Sequence, residues 1–251
     1  MNQILVTEKL YITPELRRKK KIYKYHFILS IFLVCVLTSL YIYAEYDRNK
    51  GEAESKEILA DVNEVLSDTT IAKDDVLLVV LDGTEEDYET IDLNAQQNVA
   101  QVNSSAEIKQ LSTGEKYKTI ATVNIPKINV NYGVLQGETG TLKETEALLK
   151  VSPVKYHGGE PNEVGNFCIV GHNYRNSKFF SKVPTLVIGD TVQLTDLTGR
   201  SITYQVYDKH TVDPSDTKDT TQLTGGKKEV TLITCTDDSK LRYVLRCREI
   251  K

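Results

Sequence analysis

The polarity of the chain changes character along its length. Residues 25–44 read YHFILSIFLVCVLTSLYIYA, 20 residues without Asp, Glu, Lys or Arg. As a helix rising about 1.5 Å per residue, this run spans roughly 30 Å, the thickness of a bilayer's hydrocarbon core. Tyr23 and Tyr25 flank one end, Tyr41 and Tyr43 the other. Those are the depths at which aromatic rings favour the membrane interface. Over residues 52–66, apolar Ile58, Leu59, Val62, Val65 and Leu66 fall close to helical spacing and predict a short amphipathic helix. Residues 76–81 (VLLVVL) predict a strand, ended by an Asp-Gly turn signal. From Lys116 onward, short runs rich in β-branched residues alternate with Gly-Asp, Thr-Gly and Gly-Gly turns. The runs are residues 119–125, 129–134, 166–170, 191–194, 202–207, 229–233 and 242–247. So many short strands predict an all-β sandwich or closed barrel. Residues 144–149 and 177–182 read as helical turns.

Charge divides the chain in the same places. Residues 1–24 carry seven Lys/Arg and two Glu, residues 45–115 five Lys/Arg and 18 Asp/Glu. Arg17, Arg18, Lys19, Lys20, Lys21 and Lys24 lie just before the apolar run. Positive flanks stay on the cytoplasmic side, so the chain after the run is expected outside the cell. A cleaved signal peptide would have a shorter apolar core and a small residue where Ile42-Tyr43-Ala44 has a large one. The expected organisation is a basic cytoplasmic tail (1–24), a single-pass transmembrane anchor (25–44), an acidic extracellular stalk or linker (45–115) and a folded domain (116–251). The overall charge of −4 gives no nucleic-acid signature. Four Cys in 251 residues rule out a disulfide-stapled scaffold.

The chemistry available is limited. No Cys or His pair has zinc-site spacing, and the glycine-rich nucleotide loops and the G-x-S-x-G elbow are absent. Cysteine with histidine remains. His172 follows the apolar run FCIV and a glycine, and Cys235 ends the run EVTLIT before a polar turn. Both read as strand-end residues facing an opening, where they can form a nucleophile and proton-transfer pair. Arg242 starts the next strand, so a hairpin returns it beside Cys235. A fixed cation there favours a thiolate and a developing oxyanion. Arg246 and Arg248 share the strand face of Arg242 and compete for that role.

Thr231-Leu-Ile-Thr-Cys235 resembles the T-L-x-T-C signature of the sortases. Val170-Gly-His172 resembles their histidine motif, and Arg242-Tyr-Val-Leu-Arg246 the strand bearing their arginine. Ile125-Pro-Lys-Ile128 and Tyr132-Gly-Val-Leu-Gln-Gly137 resemble their entry strands. The match covers about residues 116–251. The resemblance implies an eight-stranded closed β-barrel with short helices, and a Gram-positive, membrane-anchored cysteine transpeptidase. It implies Cys235 as nucleophile on a sorting signal similar to L-P-x-T-G, through a thioester acyl-enzyme. His172 becomes general acid and then base, Arg242 holds substrate and oxyanion, and Thr234 helps line the site. Surface proteins bearing a C-terminal sorting signal and a cell-wall peptide amine are the implied partners; no metal or organic cofactor is required.

The other candidates have blander expected roles. His157 sits in a surface loop and His210 has no motif. Cys168 and Cys247 read as packing residues, with a disulfide between them as the alternative, and Cys35 lies in the span. Cys235 follows His172 by 63 residues, too few for the long class B insertion. The lid signature of the pilus-building class is absent, so the chain is more similar to class A or class D. Glu138, Glu144 and Glu146 could be read as calcium ligands but are expected on a solvated helix face. A sorting-signal hydrolase and a non-catalytic peptide-binding barrel are the competing functions.

Overall fold

The computed structural model of the chain describes residues 14–74 and 107–250. The strand expected over 76–81 lies outside them. The chain divides into two units, one ending at Lys50 and one beginning at Gly51.

The first unit holds the N-terminal part of helix α1 (Pro14–Asp74). Proline suits a helix start, because its missing N–H would have no partner there. The side chains from Ile22 to Tyr43 are all exposed. The helix is long and apolar enough to cross a membrane. An exposed apolar surface of this size is a liability in water and none in lipid.

The second unit is built from β1 (Lys109–Gln110), β2 (Lys116–Ile125), β3 (Val130–Gly137), α2 (Leu142–Leu149), β4 (Val154–His157), β5 (Gly165–Val170), β6 (Thr191–Asp196), β7 (Ser201–Val212), β8 (Lys228–Cys235) and β9 (Arg242–Glu249). The strand order is β1-β2-β3-β4-β5-β8-β9-β7-β6, and β6 pairs back onto β2. Strands β2 to β9 thus close an eight-stranded barrel, which leaves no open edge among them. The two-residue β1 pairs with the start of β2, at Lys109–Tyr117 and Gln110–Lys116, below the stretch that β6 occupies. Two neighbouring pairs are parallel, β3 with β4 and β5 with β8. All seven expected strands are present. β4 was not expected, being four residues long between Pro153 and a glycine pair.

Alternate residues of the strands fill the barrel. Val123, Ile125, Val134, Phe167, Ile169, Leu194, Tyr204, Val206, Val230, Leu232, Leu245 and Cys247 belong to one buried cluster. A second cluster lies on the outer side of the sheet. There Ile58 of α1 packs with Leu111, Tyr117, Leu135, Leu148, Val151 and Val154.

That second cluster revises the expected 45–115 linker. Gly51, Ser55, Ile58 and Val62 are buried, a stripe at helical spacing along α1. A Cβ on Gly51 would collide with the Lys150 carbonyl, so only glycine allows this approach. Ser112 N–H donates to Glu54 (3.0 Å), and Lys109 pairs with Asp61 (2.7 Å). Acidic composition suggested solvation, but Glu52 and Asp61 pair with lysines and Glu54 accepts from Ser112.

Residues 142–149 form the expected helix α2. Thr141 caps it, accepting from Glu144 N–H. The Glu144 carboxylate accepts from the N–H groups of Glu138, Thr139 and Gly140 and from the Thr139 hydroxyl. Burial opposes its charge, yet these donors hold its pKa below the usual value. Glu144 is thus a loop-pinning residue and not the solvated position expected. Residues 177–182 do not form the expected helical turn. Asn176 Oδ1 accepts from Lys178 N–H, Asn173 and Phe179 form an isolated bridge, and the 3-10 turn begins later, at Val183.

Truncating Ile58 to Ala should cost about 2–5 kcal/mol, because a core-sized cavity opens under α1. Urea unfolding of the two proteins measures it. A loss under about 0.5 kcal/mol, the range of surface substitutions, would mean that α1 does not pack there in solution.

Candidate active site

Strand alternation sorts the candidate residues by face. In β8, Val230 and Leu232 point into the barrel. Glu229, Thr231, Ile233 and Cys235 therefore share the outer face. Their partners on β9 are Arg248, Arg246, Val244 and Arg242. Cys235 and Arg242 are a cross-strand pair at the end of the hairpin. Side chains in such directly opposed positions are near neighbours.

His172 arrives from β5. That strand runs parallel to β8, with Val170 opposite Ile233. Past the last paired residues the chains stay abreast. Gly171 N–H donates to Ile233 O (3.0 Å), Thr234 Oγ1 donates to Gly171 O (2.8 Å), and Asn173 Nδ2 donates to Cys235 O (2.9 Å). Asn173 Nδ2 also donates to Asp237 Oδ1 (3.0 Å). The three expected residues, His172, Cys235 and Arg242, thus come together at one end of the outer face.

Gly171 is required on steric grounds. A Cβ there would lie 2.5 Å from the Phe180 ring. His172 is half-buried, with its ring 5.0 Å from Tyr174. Burial, and after it the Lys150 ammonium, hold its pKa below the ordinary histidine value, with Glu146 opposing. The neutral imidazole is favoured.

Thr234 has a different place from the one expected. It is fully buried, and its hydroxyl is spent on Gly171 O. It ties the histidine strand to the cysteine strand and has no surface with which to line a substrate site. Alternation alone shows this, since a residue next to an outward Cys235 must point inward.

The rival arginines are occupied elsewhere. The Glu229 side chain is 1% exposed and accepts from Arg246 (2.9 Å), Arg248 (2.7 Å) and the Tyr207 hydroxyl (2.9 Å). The Arg248 guanidinium also lies 4.4 Å from the Tyr207 ring centre. At about 3.3 Å per residue, Arg246 sits roughly 13 Å along the strand from Arg242. Arg242 Nη1 reaches only backbone carbonyls, those of Leu241 (3.2 Å) and Ser239 (3.4 Å), among its hydrogen bonds to described residues.

The cysteines separate by face as well. All four are free thiols. Cys247 packs inside the barrel. Cys168 lies opposite Thr231 on the outer face, so a disulfide between them would have to cross the sheet. Burial pushes the Cys168 thiol up to about 12 and raises that of Cys247 as well. Neither buried thiol is a nucleophile at neutral pH. Cys235 is half-exposed.

His157 is exposed at the end of β4. His210 lies between two carboxylates, Asp219 (2.9 Å) and Asp208 (3.1 Å). Burial opposes its charge, but these carboxylates raise its pKa. Asp219 also offers its carbonyl to Asn166 Nδ2 (2.7 Å) on β5. The connection between β7 and β8 therefore spans β9 and β8 on the outer side, from His210 to Asn166. Asn173 and this strap were not anticipated. The tripeptide Gly171-His-Asn173 held the only local hint, a side-chain amide directly after the candidate histidine.

Residues 123–250, half of the chain, match the family model described as the Sortase domain. Among solved structures, the chain is similar to a sortase D5 transpeptidase from Clostridium perfringens. The identity is 31% over 53% of this chain and 80% of that one, with a TM-score of 0.46. It is similar at 24% identity to a lid mutant of Corynebacterium diphtheriae sortase A, over 54% of this chain and 72% of that one, TM-score 0.45. Streptococcus agalactiae sortase C1 is also 24% identical, over 53% and 69%, TM-score 0.46. No curated protein matches the chain.

Two outcomes follow from these contacts. Thr234→Val keeps the shape but leaves Gly171 O without its donor, and should cost about 1–3 kcal/mol in denaturant unfolding. A neutral result would mean that water replaces the hydroxyl. His210 has a raised folded pKa, so its stabilisation is present below the unfolded value and disappears as pH rises through the folded one. The melting-temperature gap between wild type and His210→Gln should therefore be wider near pH ~5.5 than near ~8.5. A gap that widens with pH would contradict the two-carboxylate geometry.

Proposed function

From the premise that the chain belongs to the sortase family of transpeptidases, we propose that it is a membrane-anchored cysteine transpeptidase with Cys235, His172 and Arg242 as its catalytic residues. The observation that carries this reading is the cross-strand pairing of Cys235 with Arg242, beside the strand end that brings His172.

Each residue type suits one part of the chemistry. The Cys235 sulfur attacks the carbonyl of a sorting signal resembling L-P-x-T-G, and a thioester forms as the amine leaves. Exchange of one amide for another is thereby split into two easier acyl transfers. His172 in its protonated form gives a proton to the leaving amine. In its neutral form, which burial favours, it takes one from the incoming amine. The Arg242 guanidinium is a fixed positive charge beside the sulfur, suited to the oxyanion of each tetrahedral intermediate. No step calls for an added cofactor.

The substrates on this reading are surface proteins with a C-terminal sorting signal, and the acceptor is an amine of the cell wall. The apolar stretch of α1 is the single-pass anchor, with the N-terminus cytoplasmic and the catalytic domain outside. The basic residues before the stretch support that direction.

The test uses the full-length protein in detergent micelles with a panel of L-P-x-T-G-like peptides and a glycine-based amine acceptor. Mass spectrometry should detect a peptide–amine conjugate and a thioester on Cys235. Cys235→Ala should abolish both, and Arg242→Ala or His172→Ala should slow turnover by about 10²-fold or more. Cleavage without conjugate would make the protein a hydrolase. No thioester with any peptide, from a folded protein, would favour a peptide-binding barrel.

A further inference from the structure

The loop that follows His172 is fastened to helix α1, and the fastening is ionic. Lys178 Nζ lies 2.9 Å from Glu52 Oε2, with side chains only 14% and 25% exposed. Glu52 also pairs with Lys56 at 3.1 Å, one turn on. The Lys178 ammonium is the largest influence holding the Glu52 carboxyl below its usual pKa.

Two physical chains lead from this pair to His172. The first is aromatic. The Phe179 N–H donates to the Tyr132 hydroxyl (3.1 Å), and their rings stack at 5.2 Å. Tyr174 lies edge-on to Phe179 at 5.6 Å, and the His172 ring packs 5.0 Å from Tyr174. Phe179 holds a left-handed backbone (φ 49°), which a bulky side chain adopts only when its surroundings impose it. The second chain runs through the end of α2. Gly51 abuts the Lys150 carbonyl, and the Lys150 ammonium adds to burial in lowering the His172 pKa.

We infer that Glu52 and Lys178 are positioning residues for the reaction. Their ion pair clamps the 173–180 loop to α1 and so fixes the His172 ring against the Cys235 strand end. This rests on the proposed Cys235–His172 chemistry. The helix segment from Gly51 to Ser67 is then part of the catalytic unit and not only a spacer. Neither residue touches the reacting atoms; both act through Tyr174 and Phe179.

The readout is the pH profile of Cys235 alkylation by iodoacetamide, which needs no sorting signal. It is measured on the full-length protein in detergent micelles, with near-UV circular dichroism to verify folding. His172→Ala first tests the underlying chemistry: a wild-type profile that ignores this substitution would sink the Cys–His reading itself. With that dependence present, Glu52→Gln and Lys178→Met should each move the profile toward that of His172→Ala. Turnover of any accepted peptide should fall about tenfold, with KM changed less than about threefold. The charge swap Glu52→Lys with Lys178→Glu should return the profile to that of the wild type. Single variants with an unaltered profile would overturn the inference. So would a folded swap that fails to recover, since loss without rescue would mark local packing and not the ion pair.

Discussion

The parallel pairing of β5 with β8 is the constraint on which the rest of the site depends. Parallel neighbours cannot be joined by a tight turn and need a long crossover. Here the crossover contains β6, β7 and their connections, which is why His172 and Cys235 stand 63 residues apart in sequence and abreast in space. The register sets the site. With Val170 opposite Ile233, β8 runs two residues past the end of β5, and Gly171, Thr234 and Asn173 lock the chains there with three hydrogen bonds. A slip of one residue would turn Cys235 into the barrel and bring Thr234 out.

Electrostatics then divides the outer face into two regions. Glu229 is buried and neutralised by two guanidiniums and a phenol. Losing either guanidinium would leave the buried carboxylate with one cation fewer, so Arg246 and Arg248 are committed to Glu229. Arg242, at the other end of the same strand and opposite Cys235 in register, has only backbone carbonyls as described hydrogen-bond partners. Three arginines on one strand face thus have two different physical fates. The location of a single buried carboxylate decides which is which.

The barrel alone does not complete the surroundings of His172. The outer cluster around Leu135 and Leu148 is covered by α1, whose Gly51 and Glu52 reach the end of α2 and the loop after His172. The apolar area of that cluster would face water without the helix. The same helix whose N-terminal part is apolar enough for a membrane therefore supplies, further along, packing and an ion pair to the barrel.

Much of this was legible in the residues themselves. Length and absence of charge marked residues 25–44, because a bilayer core demands about 20 apolar residues. Short β-branched runs between turn signals marked seven of the eight barrel strands, because branched side chains suit a pleated, packed surface. Cys235, His172 and Arg242 stood out through sortase-like motifs, and the strand pairing places them at one end of the outer face. What pattern could not supply is any property set by partners distant in sequence. The four-residue β4 exists only through its neighbours β3 and β5. The acidic run after the apolar stretch suggested solvation, since composition cannot register that Gly51, Ser55, Ile58 and Val62 find a matching surface some 60 to 100 residues on. Thr234 was expected beside the substrate, yet its neighbour's outward direction forces it inward, onto Gly171. Local sequence determines which elements form and which residues carry reactive groups; long-range register and burial determine which of those groups meet.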